Sequence, residues 1–347
     1  MMPRSAASMG PLRLRWFFRS RQPPESVKEV LDRHRRGAVR IETLIRVFYA
    51  FPLYWYLSSL PELRPLMDPP APTLQWPVAW LGWVGVNRFA PLVLAFGIAS
   101  AGAALFRPES RTLRALAFVG LFEVLALKFS FGKIHHLMHA WIFASFLFIG
   151  LPSGWSRPES TSRSVRQGAH LVFSAAQVAL CMTYSLAGLG KLVGSAYQAA
   201  IGEVTTLHPS ALARHLADRI FQTHADSWVG PSLIEHGAWL WPGMLVTVYL
   251  QLFALWAAFR PRLHRLWGAG LVAFHATSIL TLTIDFNPAV PLLALLLLAS
   301  PSAPRFGGWR TVAGDLPIAG ALLRLRPRSW PLRSASSHRP ATRPKRS

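Results

Sequence analysis

The residues best suited to chemistry lie in Tyr184-Ser185-Leu186-Ala187-Gly188-Leu189-Gly190-Lys191-Leu192. Lys191 follows an apolar run that begins near Ala169, and it is one of five lysines against 32 arginines. An amine withdrawn from water favours its neutral form, and a neutral amine is a usable base at ordinary pH. The competing reading is a lysine that snorkels from the end of a membrane helix, and spacing alone favours it. Gly188 and Gly190 let another backbone or a flat ligand come close. His135, His136 and His139 form a second cluster, with His135 and His139 one helical turn apart. That spacing can hold a metal; hydrogen-bonding, acid/base and plain interfacial roles stand beside it. A membrane di-iron hydroxylase needs further clusters of this kind, and the sequence has none. His275 falls in the middle of an apolar segment, where a histidine faces either a site or a neighbouring helix. Arg46 follows Glu42 by four residues, which suits either an interfacial ion pair or an arginine turned into a polar site within the bundle.

The elements that must position these residues are membrane helices. Of 347 residues, 52% are hydrophobic and 15% charged, against about 25% charge in a soluble domain. Several apolar runs approach the roughly 20 residues needed to cross a bilayer, and none alternates with period two as an outer-membrane barrel does. The fold class is therefore an all-α polytopic membrane protein of about eight spans. The spans are expected near residues 41–60, 89–106, 115–131, 137–151, 168–189, 239–259, 266–284 and 289–300. The fourth and eighth are short. Three regions follow: a basic tail over 1–39 with an interfacial helix at its end, a helical domain over 40–301, and a basic Pro/Arg/Ser-rich tail over 302–347. Glu123 and Lys128 lie inside the third span, too poorly phased to pair with each other.

The net charge of +22 does not point to nucleic acid, because its distribution follows the positive-inside rule. With the N-terminus cytoplasmic, 30 of the 37 Lys and Arg residues fall in the tails and alternate loops of one side, and 7 on the other. Both termini are then cytoplasmic, and the basic tails meet anionic lipid. Lys191, the histidine cluster and Asp285 all fall at the opposite membrane face. Gly188-Leu189-Gly190 is no dinucleotide fingerprint, and Gly190-Lys191 lacks the remaining residues of a phosphate-binding loop. The single cysteine, Cys181, cannot form an internal disulfide.

Tyr184-Ser-Leu-Ala-Gly-Leu-Gly-Lys-Leu192 resembles the Tyr-x-x-Ala-Gly-x-x-Lys-Leu stretch of vitamin K-dependent γ-carboxylase and its bacterial relatives, the horizontally transferred transmembrane (HTTM) domain proteins. Upstream, Ile134-His135-His136, opening the fourth expected span, looks like the family segment whose histidine assists catalysis, with His136 the better match and His135 the runner-up. Phe274-His275, Ala299-Ser300-Pro301 and Arg46 look like further family positions, and the resemblance covers roughly residues 40–301. It implies a lysine at position 191 that deprotonates a vitamin K or menaquinone-type quinol, with no metal. In the carboxylase that quinol reacts with O2 and drives carboxylation of glutamate. It implies an enzyme of a multi-pass membrane, with a bacterial inner membrane as the setting. Two departures stand out: the family's second lysine is Gly190 here, and the carboxylase's large C-terminal lumenal domain has no counterpart. A non-catalytic, DoxX-like membrane subunit that binds a lipid or partner is the other expectation.

Overall fold

Every regular element is a helix, and no strand occurs among the described residues, in a computed structural model that describes 27–63, 72–132, 138–156, 162–224, 229–282, 288–304 and 308–325. Helix α1 (Val27–Leu63) leads through a short 3-10 turn (Trp76–Val78) and α2 (Leu81–Val84) into α3 (Val86–Phe106) and α4 (Arg111–Ser130). Helices α5 (His139–Ile149) and α6 (Arg163–Ala200) follow, then a pair of shorter helices, α7 (Ala211–Thr223) and α8 (Gly230–Glu235). The chain returns through α9 (Trp241–Leu252), α10 (Ala254–Ala258), α11 (His264–Leu282) and α12 (Ala289–Leu293), and ends in α13 (Trp309–Asp315) and α14 (Ala319–Leu325). Among the described residues two helices, α3 and α6, are long and apolar enough to cross a membrane by length and composition.

Three boundaries differ from the sequence expectation. The interfacial helix and the first span form one 37-residue helix, α1. No proline falls between Val27 and Phe51, and Gly37 alone costs about 1 kcal/mol of helix propensity. Helix α6 does not stop at Lys191 but runs 38 residues to Ala200, roughly 57 Å at the α-helical rise. It ends where Gly202 takes φ 75°, the left-handed position that closes many helices. The sixth expected span is broken at Phe253 into α9 and α10.

The helices at the two short expected spans are themselves short. Helix α5 has 11 residues, roughly 16 Å. Helix α12 runs into a π-helical turn, Ala294–Leu298. The two begin together, since Trp141 Nε1 of α5 donates to the Pro288 carbonyl at 2.6 Å. The Trp141 ring is stacked on Phe51 and Phe48 of α1, 4.3 and 4.8 Å between centroids. Helices α3 and α4 cross at glycines: a Cβ on Gly120 would lie 3.0 Å from the Gly97 Cα, the close approach that small residues permit between apolar helices. Arg114, close to the arginine turn between α3 and α4, is 1% exposed. Its guanidinium donates to the carbonyls of Phe148 (2.8 Å), Leu151 (2.9 Å) and Pro108 (2.6 Å), capping the end of α5 with one permanently charged fork.

Candidate functional site

One face of α6 carries the site. Gln177, Cys181, Tyr184, Gly188, Lys191 and Ser195 recur at intervals of four and three, the period of a single helical stripe. All are buried except Lys191, which is half-buried. The neighbouring Leu186, Leu189 and Val193 are exposed by 59, 48 and 60%, so the stripe is the edge where α6 turns inward.

At one end of the stripe the polar groups serve one another. Gln177 Nε2 donates to the Leu296 carbonyl at 2.6 Å and to Ser300 Oγ at 2.9 Å. Ser300 Oγ lies 2.8 Å from His264 Nδ1, and His264 Nε2 lies 3.0 Å from the Ala258 carbonyl. A carbonyl only accepts, so Nε2 carries the hydrogen and Nδ1 takes the Ser300 hydroxyl. The π-helical turn lies here, and these bonds tie the body of α6 to the end of α10, the start of α11 and the turn that follows α12.

In the middle of the stripe Tyr184, Ser185 and Gly188 each have a mechanical partner. Tyr184 Oη and His275 Nε2 are hydrogen-bonded at 2.6 Å, both buried. Ser185 Oγ donates to the Leu252 carbonyl at 3.0 Å and accepts from the Leu255 N–H at 2.8 Å. It thus serves the two backbone groups on either side of Phe253, where α9 breaks into α10. Gly188 makes this possible: a Cβ there would stand 2.5 Å from Leu252 N and 2.8 Å from its Cα. Gly190, two residues on, would meet nothing within 4 Å, so the two glycines have different reasons to be there.

Lys191 itself has no hydrogen-bond or ion-pair partner among the described residues. Near it, Gln251 Oε1 on α9 and Ser195 Oγ are among the polar atoms sealed from water that lack a partner among the described residues. The sequence reading did not single out either one. A glutamine inside an apolar helix was the available signal, since polar groups at that depth are costly without a purpose.

The other expected residues are placed as follows. Arg46 pairs with Glu42 at 3.1 Å and donates to the carbonyls of Leu105 (3.3 Å) and Phe106 (3.2 Å). It caps the end of α3 and is not brought to the α6 stripe. Lys128 Nζ lies 5.2 Å from the Trp55 ring centroid, a cation–π contact. His135, His136 and Asp285 lie outside the described residues. His139 lines a separate apolar cleft of about 280 Å³ with Gln75, Trp76, Phe122 and Phe143 among its walls, and α6 contributes none of them. No group of three metal-ligating side chains occurs among the described residues. No protein family, no curated protein and no solved structure matches this chain.

Proposed function

We propose that the chain is a multi-pass integral membrane protein of about eight spans, both termini cytoplasmic, that handles a lipid-soluble quinol with Lys191 as base. The observation that carries the reading is the Lys191 amine: it stands on the buried stripe of α6, among residues that nearly all have mechanical duties, and no described residue answers it. The bias of 30 basic residues against 7 supports the orientation, and the length and apolarity of α3 and α6 support residence in a bilayer. Lys191 is then at the outer end of the bundle, in a bacterial inner membrane, with the basic tails against anionic lipid on the inner side.

The residues fit such a ligand. A quinol of the vitamin K or menaquinone type, when bound, supplies an acidic hydroxyl and reducing electrons. Lys191 Nζ, neutral when shielded from water, accepts the hydroxyl proton. The Tyr184–His275 bond ties α6 to α11 two helical turns from Lys191, and the family resemblance assigns His136 the part of hydrogen-bonding partner. The reaction class is a quinol-linked carboxylation or oxidoreduction. The test is quinol-dependent O2 consumption or epoxide formation by the purified chain in lipid nanodiscs. Lys191→Ala is expected to abolish it while the protein still elutes as a folded species; unchanged turnover in that variant overturns the proposal.

A second reading has its own observation. Tyr184, Ser185 and Gly188 are each explained by packing, as they would be in a non-catalytic membrane subunit of DoxX-like type. Co-purification of a stable partner protein, with no quinone found by mass spectrometry of the purified chain, would favour it.

A further inference from the structure

We propose that Gln251 is a positioning residue of the Lys191 site, accepting a hydrogen bond from the ligand, and that it makes the site select the reduced, dihydroxy form of a lipid quinone over the oxidised form. The inference rests on the reading of Lys191 as a quinol base and deepens it.

Gln251 lies on α9 and is 3% exposed. Its Oε1 is sealed from solvent and has no partner among the described residues. Such a group costs roughly 1–3 kcal/mol when left unserved, and an apolar side chain would fill the position without that cost. The residue sits where α6 and α9 come close, because a Cβ on Gly188 would lie 2.9 Å from the Gln251 carbonyl carbon. Lys191 follows Gly188 by three residues, about 4.5 Å along the helix. Gln251 and Lys191 therefore lie on facing helices within about one turn of each other. Ser195, one turn beyond Lys191, is 6% exposed with an unserved hydroxyl. A helical serine commonly returns its hydroxyl to the carbonyl four residues back, here that of Lys191, and this one does not.

The chemistry of these atoms limits the ligand. Gln251 Oε1 can only accept, so its partner must carry a hydrogen. A neutral Lys191 amine also takes a hydrogen from its partner. A hydroquinone has two hydroxyl hydrogens, and a quinone has none. Gln177 Oε1 also lacks a partner among the described residues, but that amide is anchored through Nε2 to Leu296 and Ser300. No described residue anchors the Gln251 amide, and it is Oε1 that is turned into the sealed position and open to a ligand hydroxyl.

The experiment measures equilibrium binding of menaquinol and of menaquinone, each with a short side chain, to the full-length protein in nanodiscs under anaerobic conditions. One hydrogen bond to a buried acceptor corresponds to a preference of about tenfold for the reduced form. Gln251→Leu is expected to erase that preference by weakening the quinol alone, with quinone affinity changed by less than about twofold; Gln251→Met serves as a second apolar replacement should leucine pack badly. Equal affinity for the two forms in the unaltered protein, or a preference that survives both replacements, overturns the assignment of Gln251. Failure of the unaltered protein to bind either form overturns instead the quinol reading of Lys191.

Discussion

The two ends of the α6 stripe are built on opposite principles. Around Gln177 the chain of donors and acceptors runs from Gln177 Nε2 through Ser300 and His264 to Ala258, within the protein, and only Gln177 Oε1 is left without a described partner. Around Lys191 the polar atoms of Lys191, Ser195 and Gln251 have no described partners. Both sets lie in apolar surroundings where an unserved polar group is expensive. The closed set accounts for itself as a joint between helices. The open set is destabilising as it stands, and the proposed quinol would supply its missing partners.

The contrast can be broken by substitution. The largest effect is expected at the pivot between the two ends. Gly188→Leu would push a side chain into the α9 backbone and should cost about 3 kcal/mol or more, whereas Gly190→Leu, pointing into open space, should leave stability intact. Thermal or SDS-induced unfolding of the two variants checks this, and equal behaviour would show that α9 does not lean on Gly188. Next, Gln177→Leu should cost about 2 kcal/mol, because it strips hydrogen bonds from Leu296, Ser300 and their neighbours, while Gln251→Leu should cost nothing measurable. Comparable losses in the same unfolding assay would erase the distinction between joint and site. Smallest, Ser185→Ala should cost about 1 kcal/mol and loosen the break at Phe253, seen as faster amide exchange at Leu255.

Much of this was legible in the sequence, and the rest was hidden for physical reasons. The ends of α3 and α4 follow from apolar runs bounded by arginine turns, and the singular position of Lys191 follows from the scarcity of lysine. The break in α9 could not be read locally, since neither proline nor glycine stands at Phe253; its cause is a serine 68 residues earlier in the chain. Arg114 shows the limit of counting charges. A tally places it in a basic turn and says nothing of burial, yet it is spent on the carbonyls of α5. Arg46 is a milder case, because its pairing with Glu42 was visible at four-residue spacing but its grip on α3 depends on tertiary placement. The unserved atoms of Gln251 and Ser195 are invisible to composition altogether, because only the fold decides which polar groups find partners.

Cys181 is the only thiol in the chain, and it lies on the α6 stripe with 0% exposure. A protein with one sealed sulfur is in practice a blank surface for thiol reagents. Cysteines introduced at chosen loops can be labelled from either side of a vesicle without background, so the orientation of each helix can be mapped on the otherwise unaltered chain. The native thiol reacts only once α6 has come away from its neighbours, and its labelling rate is a built-in clock for opening of the bundle.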